Sequence, residues 1–410
     1  MSDNQTSPNS RDWLLLIGGS TYKFTLTGFY LVALVAILKN HGYSLNQLSW
    51  IHLIGGIEAA KVLFAALMER RPAGRFGRFR GWLLAATLGL SAVFGLMACT
   101  DMSRNFPLLL ACCVLLSAMS AVYGCAMLGL SCIVLPHRER GFGGVIQTMA
   151  ARGGKMIGGA LVLWLYQEYG QTAAAGLMLA FSLLMLLQLL YYHEPESPTA
   201  QGSWTALAAR LVSFWQQPET GWRWLVLLFA VAAPYAFMAA TFVPKLADLG
   251  FTPKQTGGIL AVGIPVACLI VTPLSGWFSR NYSRCKLVFL LYALQLPLLA
   301  SMTAIDTLAR VHPWLPPAQI IALSLSYTLL PVILALVMDK SDRTTAALDS
   351  SLQFSVVLLG SYAAGFAALQ LAKAIGYTDA YWVAVYLAVL VGLLLYLNRN
   401  LFNHSERDSQ

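Results

Sequence analysis

Twelve apolar stretches, each long enough to cross a lipid bilayer as a helix, constrain this 410-residue chain more than any other feature of its sequence. A membrane-spanning helix needs about 20 mostly apolar residues. The stretches that meet this measure are 13–38, 47–68, 81–99, 107–135, 143–166, 172–192, 222–243, 255–279, 286–305, 318–338, 348–372 and 381–401. Only 11% of the residues are charged, compared with about 25% in a soluble domain. The sequence therefore predicts an all-α integral membrane protein with twelve transmembrane helices.

The predicted spans fall into two groups of six, separated by a polar stretch that is rich in proline. We therefore expect an N-terminal six-helix bundle over residues 1–192, a cytoplasmic linker over 193–221 and a C-terminal six-helix bundle over 222–410. Within the linker, residues 204–215 are expected to form an amphipathic helix that lies on the membrane surface.

The 27 Lys and Arg residues are distributed unevenly about the predicted spans. If both termini are cytoplasmic, seventeen of them fall on the cytoplasmic side, six fall on the outer side and four lie within spans. Loops rich in Lys and Arg stay in the cytoplasm during insertion, so this asymmetry predicts two cytoplasmic termini. It also accounts for the formal net charge of +9 without a nucleic-acid partner.

Four basic residues lie inside predicted spans, namely Lys23, Lys61, Arg152 and Lys155. A basic side chain costs about 2.5 to 3.5 kcal/mol at the centre of a bilayer, so each needs a compensating partner. Glu58 and Lys61 are three residues apart, as are Arg152 and Lys155, so each pair lies on one face of its helix. Because Glu58 is the only acidic neighbour in this half of the chain, a cavity shared by these residues would be positively charged and would favour an anionic ligand.

Aromatic and amide side chains in the spans suit a ligand that is apolar outside and carries residual negative charge. The candidate substrate-binding residues are Tyr22, Lys23, Tyr30, Lys61, Tyr123, Arg152, Lys155, Tyr235 and Gln353. Glu58 is the candidate proton-coupling residue, because a carboxyl group beside cations can bind and release a proton as its surroundings change. Structural roles remain open: the tyrosines as core packing, Lys61 as a side chain that reaches the cytoplasm, and Arg152 as a tie to Glu58.

The most specific local motif lies between the second and third predicted spans, over residues 68–82, where an acidic residue is followed by glycines and clustered arginines. Residues 276–284, after the eighth span, read as a degenerate second copy. The motif resembles the cytoplasmic signature of the major facilitator superfamily, in which charge pairs latch neighbouring helices. The resemblance implies two six-helix units related by duplication, and gating roles for Glu69, Arg70, Gly77, Arg78, Arg80, Arg280 and Arg284. The alternative is that these arginines only anchor the loops in the cytoplasm.

A finer resemblance extends along the chain. Residues 61–70 with 77–82, residues 135–141 before the fifth span and residues 244–251 after the seventh resemble the branch that contains the AmpG muropeptide permeases and the RhtX/FptX siderophore importers. The AmpG-type pattern carries acidic residues in its fourth helix and a Lys and an Asp in its seventh helix. At the corresponding places this chain has Ala121, Gly124, Ala232 and Tyr235.

The departure from the AmpG-type pattern favours the siderophore branch. The resemblance then implies a secondary transporter of the bacterial inner membrane that imports a siderophore or ferric siderophore, of the pyochelin type, by proton-driven alternating access as a monomer. A muropeptide permease, an exporter of drugs or siderophores and a non-transporting membrane sensor are the alternatives.

Other kinds of chemistry find little support in the sequence. It contains no nucleotide-binding loop, catalytic triad or metal-ligand cluster, so we expect neither an enzyme nor a bound cofactor. Iron would be present only as part of the transported complex. The expected partners are therefore a small anionic or iron-chelating substrate, protons and the lipid bilayer. The seven cysteines lack the paired spacing of a zinc or disulfide framework.

Overall fold

The structure, a computed structural model, describes residues 8–34, 37–38, 57, 61–70, 76–100, 106–196, 204–217 and 220–402. Every regular element within these residues is helical, so the all-α prediction is confirmed. Nine helices of the described residues are long and apolar enough to cross a membrane. One of them, His137–Tyr191, contains two predicted spans, which are separated by a break at Gly170, where φ is +81°. The predicted span 47–68 lies mostly outside the described residues, so the total of twelve stays a prediction.

The chain divides into two compact units, of which the first comprises residues 1–208 and 341–351 and the second comprises residues 209–340 and 352–410. The helices of residues 1–196 are α1 Ser10–Gly28, α2 Lys61–Arg70, α3 Arg80–Cys99, α4 Phe106–Val134, α5 Arg140–Lys155 and α6 Val162–Tyr191. A short π-helical segment follows α1 at Phe29–Ala33, and another follows α5 at Met156–Leu161.

The start of α1 is fixed by side chains that cap its free backbone amides. Asn9 and Asp12 form a capping box, an arrangement in which the side chain of each residue accepts a hydrogen bond from the backbone amide of the other. The hydroxyl of Tyr192 donates to Asp12 Oδ1 over 2.9 Å. The residue that follows α6 therefore holds the first turn of α1.

Helices α1 and α5 pack closely because glycines leave room at their contact. A Cβ at Gly154 would lie 2.7 Å from the carbonyl oxygen of Thr21, and a Cβ at Gly158 would overlap the carbonyl oxygen of Thr25. A Cβ at Gly28 would lie 2.8 Å from Lys155 Cα. Small residues at such positions let two backbones approach in a membrane, so α1 and α5 meet along a tight seam.

The later helices are α7 Trp204–Ser213, α8 Trp222–Val231, α9 Ala233–Asp248, α10 Pro253–Gly257, α11 Ile264–Asn281, α12 Arg284–Ser301, α13 Ile305–Val311, α14 Leu315–Leu325, α15 Leu329–Asp339, α16 Ala346–Ile375 and α17 Tyr377–Leu397. The helix predicted within the linker therefore forms as α7. Helix α16 contributes residues 346–351 to the first unit and its remainder to the second.

Several predicted spans of the second unit are broken near prolines. Helices α8 and α9 are separated at Ala232, just before Pro234, and α14 and α15 are joined by a 3-10 turn at Ser326–Thr328, just before Pro331. Proline cannot donate a backbone hydrogen bond and clashes with the preceding turn, which breaks or bends a helix. A buried cluster of Trp224, Tyr292, Tyr381 and many aliphatic side chains forms the core of this unit.

Candidate functional site

Lys23 lies on α1 with its side chain laid across α4. The side chain is half-buried, and its Cε lies only 2.9 Å from the position that a Cβ would occupy at Gly124. Its Nζ lies 4.8 Å from the centroid of the Phe24 ring, a distance at which an aromatic face attracts a cation. The predicted substrate residue therefore sits at the contact between α1 and α4.

Two tyrosines lie beside Lys23. The rings of Tyr22 and Tyr123 meet edge to face with centroids 5.4 Å apart, and the hydroxyls of Tyr22 and Ser182 share a hydrogen bond of 2.6 Å. Tyr123 is fully buried, and within the described part of the chain its hydroxyl has no hydrogen-bond partner. The structure thus brings three predicted site residues, Tyr22, Lys23 and Tyr123, into one cluster.

Arg152 and Lys155 lie one turn apart on α5, beside the stretch of α1 that runs from Thr21 to Gly28. Arg152 is half-buried and Lys155 is exposed. Gly154, between them, packs against the backbone of α1 next to Phe24, which sets the level of this turn relative to Lys23. Tyr30 follows in the π-helical segment after α1 and is buried. Basic residues from two neighbouring helices therefore occur along the same stretch of the first unit.

Lys61 lies at the start of the described part of α2 and is half-buried. Its carbonyl oxygen accepts a hydrogen bond of 3.2 Å from Cys125 Sγ, which places this end of α2 beside α4. Glu58, the predicted proton-coupling residue, lies outside the described residues. Its relation to Lys61 and Arg152 therefore stays a prediction.

The two predicted substrate residues of the second unit have well-defined partners. Tyr235 donates a 3.3 Å hydrogen bond to Ser324, and its ring lies 4.8 Å from that of Tyr327. Gln353 uses both ends of its amide, because its oxygen accepts from Trp224 Nε1 at 2.8 Å and its nitrogen donates to the Val337 carbonyl at 3.1 Å. Their role in substrate binding stays a prediction.

A small, partly open pocket adjoins this region of the second unit. Its walls are formed by Val231, Ala232, Tyr235, Gln295, Ser326, Tyr327, Leu329, Leu330, Ile333 and Val357. It lies next to the two helix breaks described above, where the backbone ladder is interrupted.

Glu69 and Arg78, from the predicted gating motif, form a buried ion pair between α2 and α3. Glu69 Oε1 accepts from the Ala347 amide at 2.8 Å, and Arg78 donates to the carbonyl oxygens of Arg343 and Thr344. The pair therefore binds the first turn of α16 and the residues before it, all within the first unit. Amides at a helix N-terminus favour a carboxylate, which explains the position of Glu69.

Glu194 completes this cluster and was not anticipated from the sequence. Its carboxylate accepts hydrogen bonds from the amides of Phe79 at 2.9 Å and Arg80 at 2.7 Å, at the start of α3. Gly77, where φ is +92°, leaves the space that the Glu194 side chain occupies. Burial raises the pKa of Glu194, while the amides of Arg80 and Phe79 and the charge of Arg78 lower it. No periodic pattern marks residue 194, which lies in a segment that reads as a linker.

Arg80 supplies the reciprocal contact at the end of α6. Its guanidinium donates to the carbonyl oxygens of Leu189 and Leu190, both at 2.8 Å. These are carbonyls of a last helical turn, which have no partner within the helix. Arg80 therefore caps the C-terminal end of α6, and Glu194 caps the N-terminal end of α3.

The remaining predicted gating residues differ in their surroundings. Arg284 forms a buried ion pair with Asp339 at the end of α15, whereas Arg70 and Arg280 are exposed. Asp339 is a second partner that sequence reasoning missed, because 55 residues separate it from Arg284 in the chain. Among the described residues, no group of three or more His, Cys, Asp or Glu side chains is placed to hold a metal ion.

Long apolar helices in two units, with basic side chains inside membrane-spanning stretches of the first, define a multi-pass helical membrane protein. The chain belongs to the Major Facilitator Superfamily, whose family model matches residues 15–348. The resemblance inferred from the arginine-rich loop is therefore confirmed.

Curated relatives agree with this membership. A stretch of 256 residues is 28% identical to the anhydromuropeptide permease of Escherichia coli K12, and it covers 61% of this chain and 51% of the permease. The same figures hold for the anhydromuropeptide permease of Escherichia coli O157:H7. The matched stretch thus spans about half the length of these curated relatives.

Solved structures share the fold. The human organic anion transporter TETRAN superposes with a TM-score of 0.72 at 18% identity, over 95% of this chain and 100% of that chain. The Escherichia coli fucose:proton symporter FucP gives 0.71 at 13% identity, over 95% and 99% of the two chains. The proton:xylose symporter XylE gives 0.63 at 13% identity, over 95% and 96%.

Proposed function

We propose that this protein imports an organic anion across the bacterial inner membrane by alternating access, with a ferric siderophore of the pyochelin type as the first candidate. The observation that carries the proposal is the occurrence of Lys23, Arg152 and Lys155 on the neighbouring helices α1 and α5, inside apolar stretches. Holding a basic group in lipid costs about 2.5 to 3.5 kcal/mol at the bilayer centre. A bound anion would offset part of that cost.

The aromatic surroundings of Lys23 support a ligand with aromatic character. Tyr22 and Tyr123 are fixed against each other beside it, and Phe24 lies under its ammonium group. A ferric complex of a phenolate and carboxylate ligand presents aromatic edges together with residual negative charge. Rings and cations in one cluster match both properties.

Proton coupling through Glu58 is part of the proposal and rests on the sequence. Moving one negative charge into a negative interior costs about 2.3 kcal/mol per 100 mV, so import of an anion needs a driving ion. A Glu58→Gln variant is expected to lose uptake that depends on the proton gradient while it keeps exchange at equal pH. Undiminished proton-driven uptake by that variant would exclude Glu58 as the carrier.

The ion pair of Glu69 and Arg78 supports a gating role for the loop between α2 and α3. It binds the start of α16 through the Ala347 amide, so a conformational change that moves α16 must break these contacts. We assign Glu194 to the same gate, because its carboxylate holds the first amides of α3.

An anhydromuropeptide is the second candidate substrate, and the similarity to curated anhydromuropeptide permeases favours it. Such a molecule is also an organic anion, so the basic residues of α1 and α5 would serve it equally well. The two candidates differ in iron content and in aromatic character.

Uptake of two labelled anions tests the proposal. Cells that lack the gene and carry it on a plasmid are given ⁵⁵Fe-pyochelin or a tritiated anhydromuropeptide. We expect ⁵⁵Fe to accumulate, and we expect Lys23→Ala to lower this uptake sharply while leaving it measurable, whereas Lys373→Ala, an exposed lysine near the end of α16, leaves it unchanged. Accumulation of the muropeptide alone would favour the second candidate. Accumulation of neither compound would refute both.

A further inference from the structure

We propose that Gly124 is a positioning residue for Lys23: the missing side chain at position 124 opens the slot that fixes where the Lys23 ammonium group lies. A Cβ at Gly124 would lie 2.9 Å from Lys23 Cε and 3.9 Å from both its Cδ and its Cγ. Three carbons of the lysine stem therefore rest on bare backbone of α4. The inference deepens the proposed anion site, on which its functional part rests.

The register between α1 and α4 keeps this slot in place. Tyr22 and Tyr123, each adjacent in sequence to one member of the Lys23 and Gly124 pair, are joined edge to face. One turn earlier on α1, a Cβ at Gly19 would lie 2.9 Å from the Tyr123 hydroxyl. These contacts, at and before the level of Lys23, set the register in which α4 packs against α1.

A glycine in the middle of a long helix is unfavourable unless a close contact requires it. Glycine costs about 1 kcal/mol relative to alanine in a helix interior, and α4 runs for 29 residues. The close approach of Lys23 supplies the reason at position 124, because any side chain there would occupy the path of the lysine stem.

A methyl group at position 124 would displace the Lys23 side chain more easily than it would move either helix. The nearest atom, Cε, belongs to the flexible end of a long side chain, whereas the helix contact is held by buried rings. A Gly124→Ala variant should therefore keep its fold and displace the ammonium group from the Phe24 ring.

The direct test observes Lys23 itself. Lysines of the full-length protein in detergent micelles are dimethylated with ¹³C-formaldehyde, and the Lys23 signal is identified by its loss in Lys23→Arg. We expect Gly124→Ala to shift this signal, because the nitrogen moves relative to the Phe24 ring 4.8 Å away. Gly153→Ala is the matched control, because nothing lies within 4 Å of a Cβ at that position. An unchanged Lys23 signal in Gly124→Ala would overturn the inference.

The functional test measures uptake of the labelled anion that the wild-type protein accumulates. Gly124→Ala is expected to raise KM about tenfold, equivalent to about 1.4 kcal/mol, with little change in the maximal rate. In a Lys23→Ala background the same substitution should have no effect, because the added methyl then displaces nothing. Equal effects of Gly124→Ala in the presence and absence of Lys23 would indicate a general helix defect and would overturn the inference.

Failure of the proposed function can be told apart from failure of the inference about Gly124. If the Lys23 signal moves but neither anion is transported, the proposed substrates are wrong and the positioning of Lys23 by Gly124 stands. If Gly124→Ala fails to fold, the double variant Gly124→Ala with Lys23→Ala decides. Recovery of folding in the double variant assigns the clash to Lys23, and continued misfolding contradicts the inference.

Discussion

Individual basic residues in this protein are held in two different ways. Arg78 and Arg284 each meet a carboxylate in a buried ion pair, with Glu69 and Asp339 respectively. Removing one member of such a pair leaves an uncompensated charge and costs about 3 to 5 kcal/mol. Lys23 packs along bare backbone and lies over an aromatic ring. The ion pairs fix helix ends, and the packing of Lys23 places its ammonium group in an aromatic cluster.

Glu194, which caps α3, makes the stability of the folded protein depend on pH. Because burial raises its pKa in the folded protein, the folded state binds protons more readily than the unfolded state, and stability falls as pH rises through the raised pKa. We expect the wild-type protein to gain stability relative to Glu194→Gln as pH is lowered from about 7.5 to about 5, measured as thermal unfolding in detergent micelles.

Glu196 provides the control for this experiment, because it lies two residues away in the same segment and is exposed. Glu196→Gln should follow the wild-type curve across the pH range. A wild-type protein that loses stability relative to Glu194→Gln as pH falls would contradict the assigned direction.

The residues that could be found from sequence are those whose position in a span is itself informative. Lys23, Arg152 and Lys155 stand out because a basic residue is rare in an apolar stretch. Glu194 and Asp339 could not be found in this way, since each acts through a contact with a distant part of the chain. The partners of Glu69 illustrate the same limit, because Ala347 lies 278 residues further along and no local pattern joins the two.

At the scale of helices, the two units repeat one close contact. Gly158, in the π segment after α5, lies against α1 at Thr25, and Gly360 of α16 lies against the Phe229 carbonyl of α8. The fifth and eleventh predicted spans thus approach the first and seventh in the same manner, as duplication of a six-helix unit predicts. The glycines make possible a backbone contact that larger residues would prevent.

Substitution of these glycines should separate the helices. Gly158→Ala places a Cβ on the Thr25 carbonyl oxygen, and overpacking of this kind costs about 1 to 3 kcal/mol. We expect a lower unfolding temperature in detergent micelles, with a similar loss for Gly360→Ala. Gly153→Ala, which meets open space, should be neutral or slightly stabilising. Equal behaviour of Gly158→Ala and Gly153→Ala would show that the tight seam contributes nothing to stability.

Most helices were predictable because hydropathy and length alone define a membrane span. The predicted spans 81–99 and 107–135 agree closely with α3 and α4. The breaks within helices were less predictable: prolines indicated kinks, but the π-helical segments at Phe29–Ala33 and Met156–Leu161 carry no composition that distinguishes them from α-helix.

At the scale of the whole molecule, the distribution of Lys and Arg predicts both termini in the cytoplasm. Alkaline phosphatase fused after Gly376, between α16 and α17, should therefore be active, because that loop is expected outside. The same enzyme fused after Ser341, between α15 and α16, should be inactive, because that loop is expected in the cytoplasm. The reverse pattern of activities would show that the orientation is inverted.

The assignment of residues 341–351 to the first unit has a consequence for synthesis. When the ribosome has completed residue 208, the Arg343 carbonyl and Ala347 amide that bind Arg78 and Glu69 do not yet exist. The ion pair of Glu69 and Arg78 therefore cannot make these contacts until more than a hundred further residues have been translated and inserted. A separately expressed N-terminal half would therefore lack these partners of Glu69 and Arg78 until a C-terminal fragment supplied the eleven-residue segment.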